Sequence, residues 1–131
     1  MVVRRPDRYL AEEAAAGRLD ARTVVVSLSH DPKFEVPLLE LALSMELAYV
    51  GAMGSRRSHL RRLDTLRENG VSEGALARLS SPVGLDLGGR TPAETAVSIA
   101  AEIVAVRHGV QGARLSHRDG PVHLRQKERV A

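Results

Sequence analysis

The chain predicts an α/β fold built on a parallel sheet, and three observations carry that expectation. Short β-branched or apolar runs at 23–28 and 47–51 alternate with stretches of helical character. The run Thr23-Val24-Val25-Val26-Ser27-Leu28 does not alternate polar with apolar, as a strand covered on both faces would not. Two polar turns, 29–32 and 54–57, follow those runs, and in such sheets ligands gather at the carboxyl ends of the strands.

The elements follow in order. Pro6 opens a helix over 6–16 that Gly17 ends. The strand at 23–28 should be buried on both faces. After the turn Ser29-His30-Asp31-Pro32, Pro37 is expected to open an apolar helix through Leu43. The second strand runs 47–51. Ser55 is a natural N-cap for a helix with Leu60, Leu63 and Leu66 on one side, closed by Asn69-Gly70. Ser72 should cap a short helix from Glu73 to Leu79, and residues 82–89 should hold a short strand between turns. Thr91-Pro92-Ala93-Glu94 carries a capping box and a proline at the first helical position. The helix it starts runs to His108 and stops at Gly109. It is apolar nearly all round, so it is expected to be mostly buried. One domain over 1–109 and a polar tail over 110–131 complete the expected organisation.

Composition narrows the function. Of the 131 residues, 44% are apolar and 27% charged, an ordinary globular balance. Cysteine is absent, which excludes disulfides, thiolate metal sites and cysteine nucleophiles. Tyr9, Phe34 and Tyr49 are the aromatics, so the core must be aliphatic and base stacking is disfavoured. No apolar run approaches the roughly 18 residues of a membrane span, and the N-terminus lacks the apolar stretch of a secretion signal; the expected compartment is the cytoplasm.

Four groups of residues could carry chemistry. In Gly54-Ser55-Arg56-Arg57 a strand feeds a glycine turn and then a helix whose free N–H groups and dipole favour an anion. Arg56, Arg57, Arg61 and Arg62 add positive charge, and no acid appears before Asp64. The glycine spacing and lysine of a Walker loop are missing, and the alternative is a tight turn into a solvated basic helix. Ser29-His30-Asp31 cannot form a triad, because neighbours on an extended chain point in alternating directions. Glu94, Ser98 and Glu102 form a narrow polar stripe on an apolar helix, and Glu102 needs an arginine partner or access to water. The helices at 55–69 and 73–79 are arranged like a helix-turn-helix. Bulky Leu66, the helix-weakening Gly74 and a single base-reading candidate, Arg78, speak against DNA.

Several long stretches resemble, in register, the C-terminal part of the XdhC/CoxI family, accessory proteins of xanthine dehydrogenase and carbon monoxide dehydrogenase. They are Leu28-Ser29-His30-Asp31-Pro32-Lys33-Phe34, Tyr49-Val50-Gly51-Ala52-Met53-Gly54-Ser55-Arg56-Arg57, Ser81-Pro82-Val83-Gly84-Leu85-Asp86-Leu87-Gly88 and Arg90-Thr91-Pro92-Ala93-Glu94-Thr95-Ala96-Val97-Ser98-Ile99-Ala100-Ala101-Glu102-Ile103. Gly120-Pro121-Val122-His123 is similar to the family's closing segment. The resemblance implies a three-layer, Rossmann-like parallel sheet and an accessory role, rather than catalysis, in maturing molybdenum-cofactor enzymes. It implies that His30, Asp31, Gly54, Ser55, Arg56 and Arg57 line the ligand crevice, with the phosphate of a pterin or nucleotide near Ser55. The implied cofactor is the molybdenum cofactor (molybdopterin) or NAD(P), and the implied partner is a molybdenum-containing dehydrogenase apoenzyme.

Ser29 and Glu35 stand where relatives usually carry Thr and Asp, and the cysteine of some members is missing. No glycine-rich dinucleotide loop precedes the strand at 23–28. The chain is therefore expected to hold the second half of the fold, incomplete by itself. The uncovered sheet edge would recruit a second copy or a separate N-terminal chain. The alternatives to an accessory protein are an NAD(P)-dependent Rossmann oxidoreductase, which the missing loop disfavours, and a small DNA-binding protein.

Overall fold

A computed structural model describes residues 1–123. The last part of the expected tail, 124–131, lies outside the described residues. The chain divides into two compact units, Met1–Val83 and Gly84–Ala131.

The first unit is a three-stranded parallel sheet with its helices. Helix α1 (Pro6–Ala15) leads into β1 (Val24–Ser27), α2 (Pro32–Ser44), β2 (Tyr49–Ala52), α3 (Arg56–Glu68), the single-turn α4 (Glu73–Leu76) and β3 (Leu79–Ser80). The strand order is β1-β2-β3, so β2 is central. Val25 lies opposite Val50, and Val50 opposite Leu79. All four residues of β2 are buried. Gly51 is required there: a Cβ would come within 2.7 Å of the Tyr49 ring and 2.8 Å of Val83.

Four expectations are corrected. First, β1 is an outer strand with Val24 exposed, because β2 pairs with it on one side alone. Second, α2 begins at Pro32, not Pro37. Asp31 caps it by accepting the backbone N–H of Lys33 at 3.0 Å, Pro32 takes the first-turn position that suits proline, and Pro37 sits inside the helix. Third, α4 stops at Leu76, and the third strand is Leu79–Ser80 rather than a segment of 82–89. Fourth, Leu60 is 56% exposed. Three-residue steps drift round a helix of 3.6 residues per turn, so Leu60 and Leu66 do not share a face. Arg62 and Leu66, four apart, are the buried pair on α3.

The core is aliphatic, as the composition requires. Leu38, Leu39, Ala42 and Leu43 of α2 meet Leu10, Val50, Ala52, Leu66, Leu76 and Leu79. As the crossover between two paired parallel strands, α2 must lie against the sheet, and it packs on α1, α3, α4, β1 and β2.

The second unit is organised around α5 (Pro92–Arg107). Its start is the expected capping box: Thr91 Oγ1 accepts the N–H of Glu94 at 3.1 Å, and Glu94 Oε1 accepts the N–H of Thr91 at 3.2 Å. The expected burial is not found. Ala105 is its one buried residue, while Val97 and Val104 are exposed. The polar stripe explains this. Ser98 Oγ donates to the carbonyl of Leu85 at 2.5 Å, and Glu102 Oε1 accepts the N–H of Gly84 at 3.2 Å. The side of α5 bearing Ser98 and Glu102 is thus held by the loop before it. Ala93, Val97, Ala100 and Val104 lie on the opposite side and are exposed. Beyond Gly109, residues 110–123 are exposed and hold a 3-10 turn at Leu115–His117.

Candidate functional site

A cavity of about 460 Å3 lies where the chain leaves β1 and β2. Ser29 and His30 reach it from the turn after β1, and Met53 and Gly54 from the turn after β2. Pro32, Glu35 and Val36 of α2 line another wall. From α3 come Ser58, Arg61, Arg62 and Thr65, whose spacing puts them on one helix face.

The turn after β2 is fixed locally. Gly54 has φ +151°, a conformation L side chains rarely adopt, and a Cβ on it would lie 3.3 Å from Arg62 Nη2. Ser55 then caps α3, its Oγ accepting the Ser58 N–H at 3.1 Å and donating to Ser58 Oγ at 3.1 Å.

At the centre of the wall is a buried ion pair. Arg62 Nη2 lies 2.8 Å from Glu35 Oε1, with both side chains less than a tenth exposed. Arg62 Nη2 also donates to the carbonyl of Met53 at 2.9 Å, and Nη1 donates to Ser81 Oγ at 2.5 Å. One guanidinium therefore joins α2, α3, the turn after β2 and the segment after β3. Its Nε–H is buried with no hydrogen-bond partner. Arg61 is exposed and has no acidic partner among the described residues. The arginines of α3 also act on His59. Burial first, then the charges of Arg62, Arg56 and Arg67, hold its imidazole below its ordinary pKa and favour the neutral ring.

The six site residues expected from sequence are placed in three ways. His30 and Gly54 line the cavity. Asp31 and Ser55 cap α2 and α3 with their side-chain oxygens. Arg56 and Arg57 are exposed at the start of α3 and are not among the lining residues. Among the lining residues outside the expected six are Glu35, Ser58, Arg61 and Arg62. Counting three and four residues on from Ser58 would have found both arginines.

The XdhC Rossmann domain family matches residues 1–103 of the chain. The chain belongs to that family. Among its XdhC-like relatives, the molybdenum cofactor insertion chaperone PaoD of Escherichia coli is 36% identical over 94 residues, covering 72% of this chain and 30% of PaoD. YqeB of Escherichia coli is 40% identical over 74 residues, covering 56% of this chain and 14% of YqeB. This XdhC domain thus spans less than a third of the length of either protein. A crystal structure described as a xanthine dehydrogenase, from Bacillus halodurans, superposes with a TM-score of 0.61 at 25% identity, over 84% of this chain and 30% of that one. The parallel α/β architecture of the XdhC domain is common to both. No helix among the described residues is long and apolar enough to cross a membrane.

Proposed function

We propose that the chain serves the maturation of molybdenum-cofactor enzymes of the xanthine or carbon monoxide dehydrogenase type, as an accessory protein that receives a phosphate-bearing ligand. The observation that carries this reading is its 36% identity to a molybdenum cofactor insertion chaperone over 72% of its own length. The cavity supports it with suitable chemistry: it lies at the ends of two adjacent parallel strands and sets two arginines against one glutamate. In this reading the pterin phosphate of the molybdenum cofactor, or a nucleotide phosphate, is cargo held between the turn at His30 and the turn at Gly54. Asp31 and Ser55 fix the helix starts that flank those turns, and Arg56 and Arg57 stand at the head of α3 off the cavity wall. The partner is the dehydrogenase apoenzyme that accepts the cargo.

The test is co-expression of a molybdenum dehydrogenase with and without the full chain. The metal content and turnover of the purified dehydrogenase should rise when the chain is present. Unchanged metal content and turnover would overturn the reading.

A further inference from the structure

We propose that the cavity grips a single phosphate monoester through Arg61, the Nε–H of Arg62 and Ser58, and that Arg56 and Arg57 do not form its anion contact. The inference rests on the ligand-receiving role above and names the class of ligand and its contacts.

Helical geometry separates the arginines. Ser58, Arg61, Arg62 and Thr65 share the face of α3 that lines the cavity. Arg56 is rotated to nearly the opposite side, and neither it nor Arg57 lines the cavity. The two lining arginines then divide the work. Arg62 is 7% exposed and neutralised by Glu35, and its two terminal nitrogens are engaged by Glu35, Met53 and Ser81. Its Nε–H is a buried donor without an acceptor, on a side chain that lines the cavity. Buried donors are nearly always satisfied, so this one marks where a ligand oxygen belongs. Arg61 has no acidic partner among the described residues and supplies the uncompensated charge. Ser58, Arg61 and Arg62 span little more than one helical turn, about 6 Å along the axis. With one uncompensated cation, one open buried N–H and one hydroxyl, the donor set is sized for a single phosphate group.

Glu35 is a positioning residue here. With the Met53 carbonyl it engages Arg62 Nη2, and Nε is left as the donor without a protein acceptor.

The experiment is titration calorimetry of the full chain with inorganic phosphate, AMP, 6-hydroxymethylpterin phosphate and NAD, with circular dichroism confirming the fold of each variant. The monoesters should bind more tightly than NAD. Arg61→Gln should weaken monoester binding tenfold or more, while the double change Arg56→Gln, Arg57→Gln should alter it by less than twofold. Arg62→Lys keeps a cation beside Glu35 but removes the Nε–H, and should also weaken binding. A preference between AMP and the pterin ester identifies the source of the phosphate, and either preference supports the assignment. Loss of binding in the double variant with Arg61→Gln unchanged overturns it, as does the absence of monoester binding to the wild-type chain. Arg61-dependent binding beside a flat co-expression result retains this assignment and rejects the accessory role. Normal maturation with binding indifferent to Arg61 does the reverse.

Discussion

Helices α2 and α5 start alike and end up in opposite surroundings. Each has a proline at its first helical position and a side-chain cap before it, Asp31 for α2 and Thr91 for α5. Each is mostly apolar. Yet α2 buries Glu35, Leu38, Leu39, Ala42 and Leu43, whereas α5 buries Ala105 alone. Topology makes the difference. A helix joining β1 to β2 is drawn across the sheet by the strands at both of its ends. Helix α5 has β3, two residues long, as the last strand before it, and no strand follows it among the described residues. Its side chains differ as well: leucines fill the core under α2, while α5 has no leucine and offers alanines, valines and two isoleucines. An apolar composition states what a helix would gain from burial; the connections at its ends decide whether it is buried.

The sharpest way to break this contrast is to remove the buried charge that α2 carries. Glu35→Ala leaves the Arg62 guanidinium in the interior without its counter-charge. Breaking one side of a buried pair costs about 3–5 kcal/mol. Chemical denaturation should show a loss of that order, with Glu35→Gln recovering part of it through a neutral hydrogen bond to Arg62. A loss below about 1 kcal/mol for Glu35→Ala would mean that water reaches the pair.

Leu39 comes next. It is fully buried, beneath the centre of α2. Leu39→Ala should cost about 2–5 kcal/mol, as transfer and cavity effects add. Ile103→Ala, at a half-buried position on α5, should cost clearly less, measured in the same denaturant series. Equal losses would place both helices in equally packed surroundings and remove the contrast.

These contrasts show which parts of the molecule the sequence made legible. The β-branched run at 23–28 and the caps at Ser55, Ser72 and Thr91 are local features, and the elements they announce are present. Residues 29–32 read as a turn and Pro37 as a helix start, yet an Asp cap before a first-position proline is the same signal that Thr91-Pro92 gives. That choice hid Glu35, which belongs to the first turns of α2 and pairs with a residue on α3. The cavity was legible as a place, the ends of two strands, and less so as a set of side chains. Arg56 and Arg57 stand beside the glycine turn in sequence, while Arg61 and Arg62 reach the cavity by helical periodicity. The exposure of α5 depends on what packs around it, and no pattern within its own residues expresses that.

The start of α5 gives a smaller effect with a definite pH dependence. Thr91→Ala should cost about 1 kcal/mol, as loss of a cap does. Glu94 accepts from the N–H groups of Thr91 and Arg90 and from the Thr91 hydroxyl, which hold its carboxyl below the ordinary glutamate pKa in the folded chain. The unfolded chain therefore binds its proton first as pH falls. The contribution is complete above the unfolded value and disappears as pH drops through the folded one. Denaturation of wild type and Glu94→Gln should differ near neutrality, and the difference should shrink as acid protonates the carboxyl. A difference that is constant down to acid pH would mean that the charge of Glu94 is not what the capping box uses.

The smallest expected effect bears most directly on the contrast between the helices. Val104 is 54% exposed, and with Ala93, Val97 and Ala100 it forms the side of α5 turned away from Ser98 and Glu102. Serine and valine have similar helix propensities, and an exposed side chain gives up little apolar burial when shortened. Val104→Ser should therefore change stability by no more than about 0.5 kcal/mol. The same chemistry in α2, Leu43→Ser at a position 2% exposed, removes a core side chain and buries a hydroxyl, and should cost several times more. Denaturation of both variants at two protein concentrations makes the test complete. A Val104→Ser loss above about 1 kcal/mol that grows with protein concentration would show this face covered by a second copy in solution. The two helices would then differ in what buries them rather than in whether they are buried.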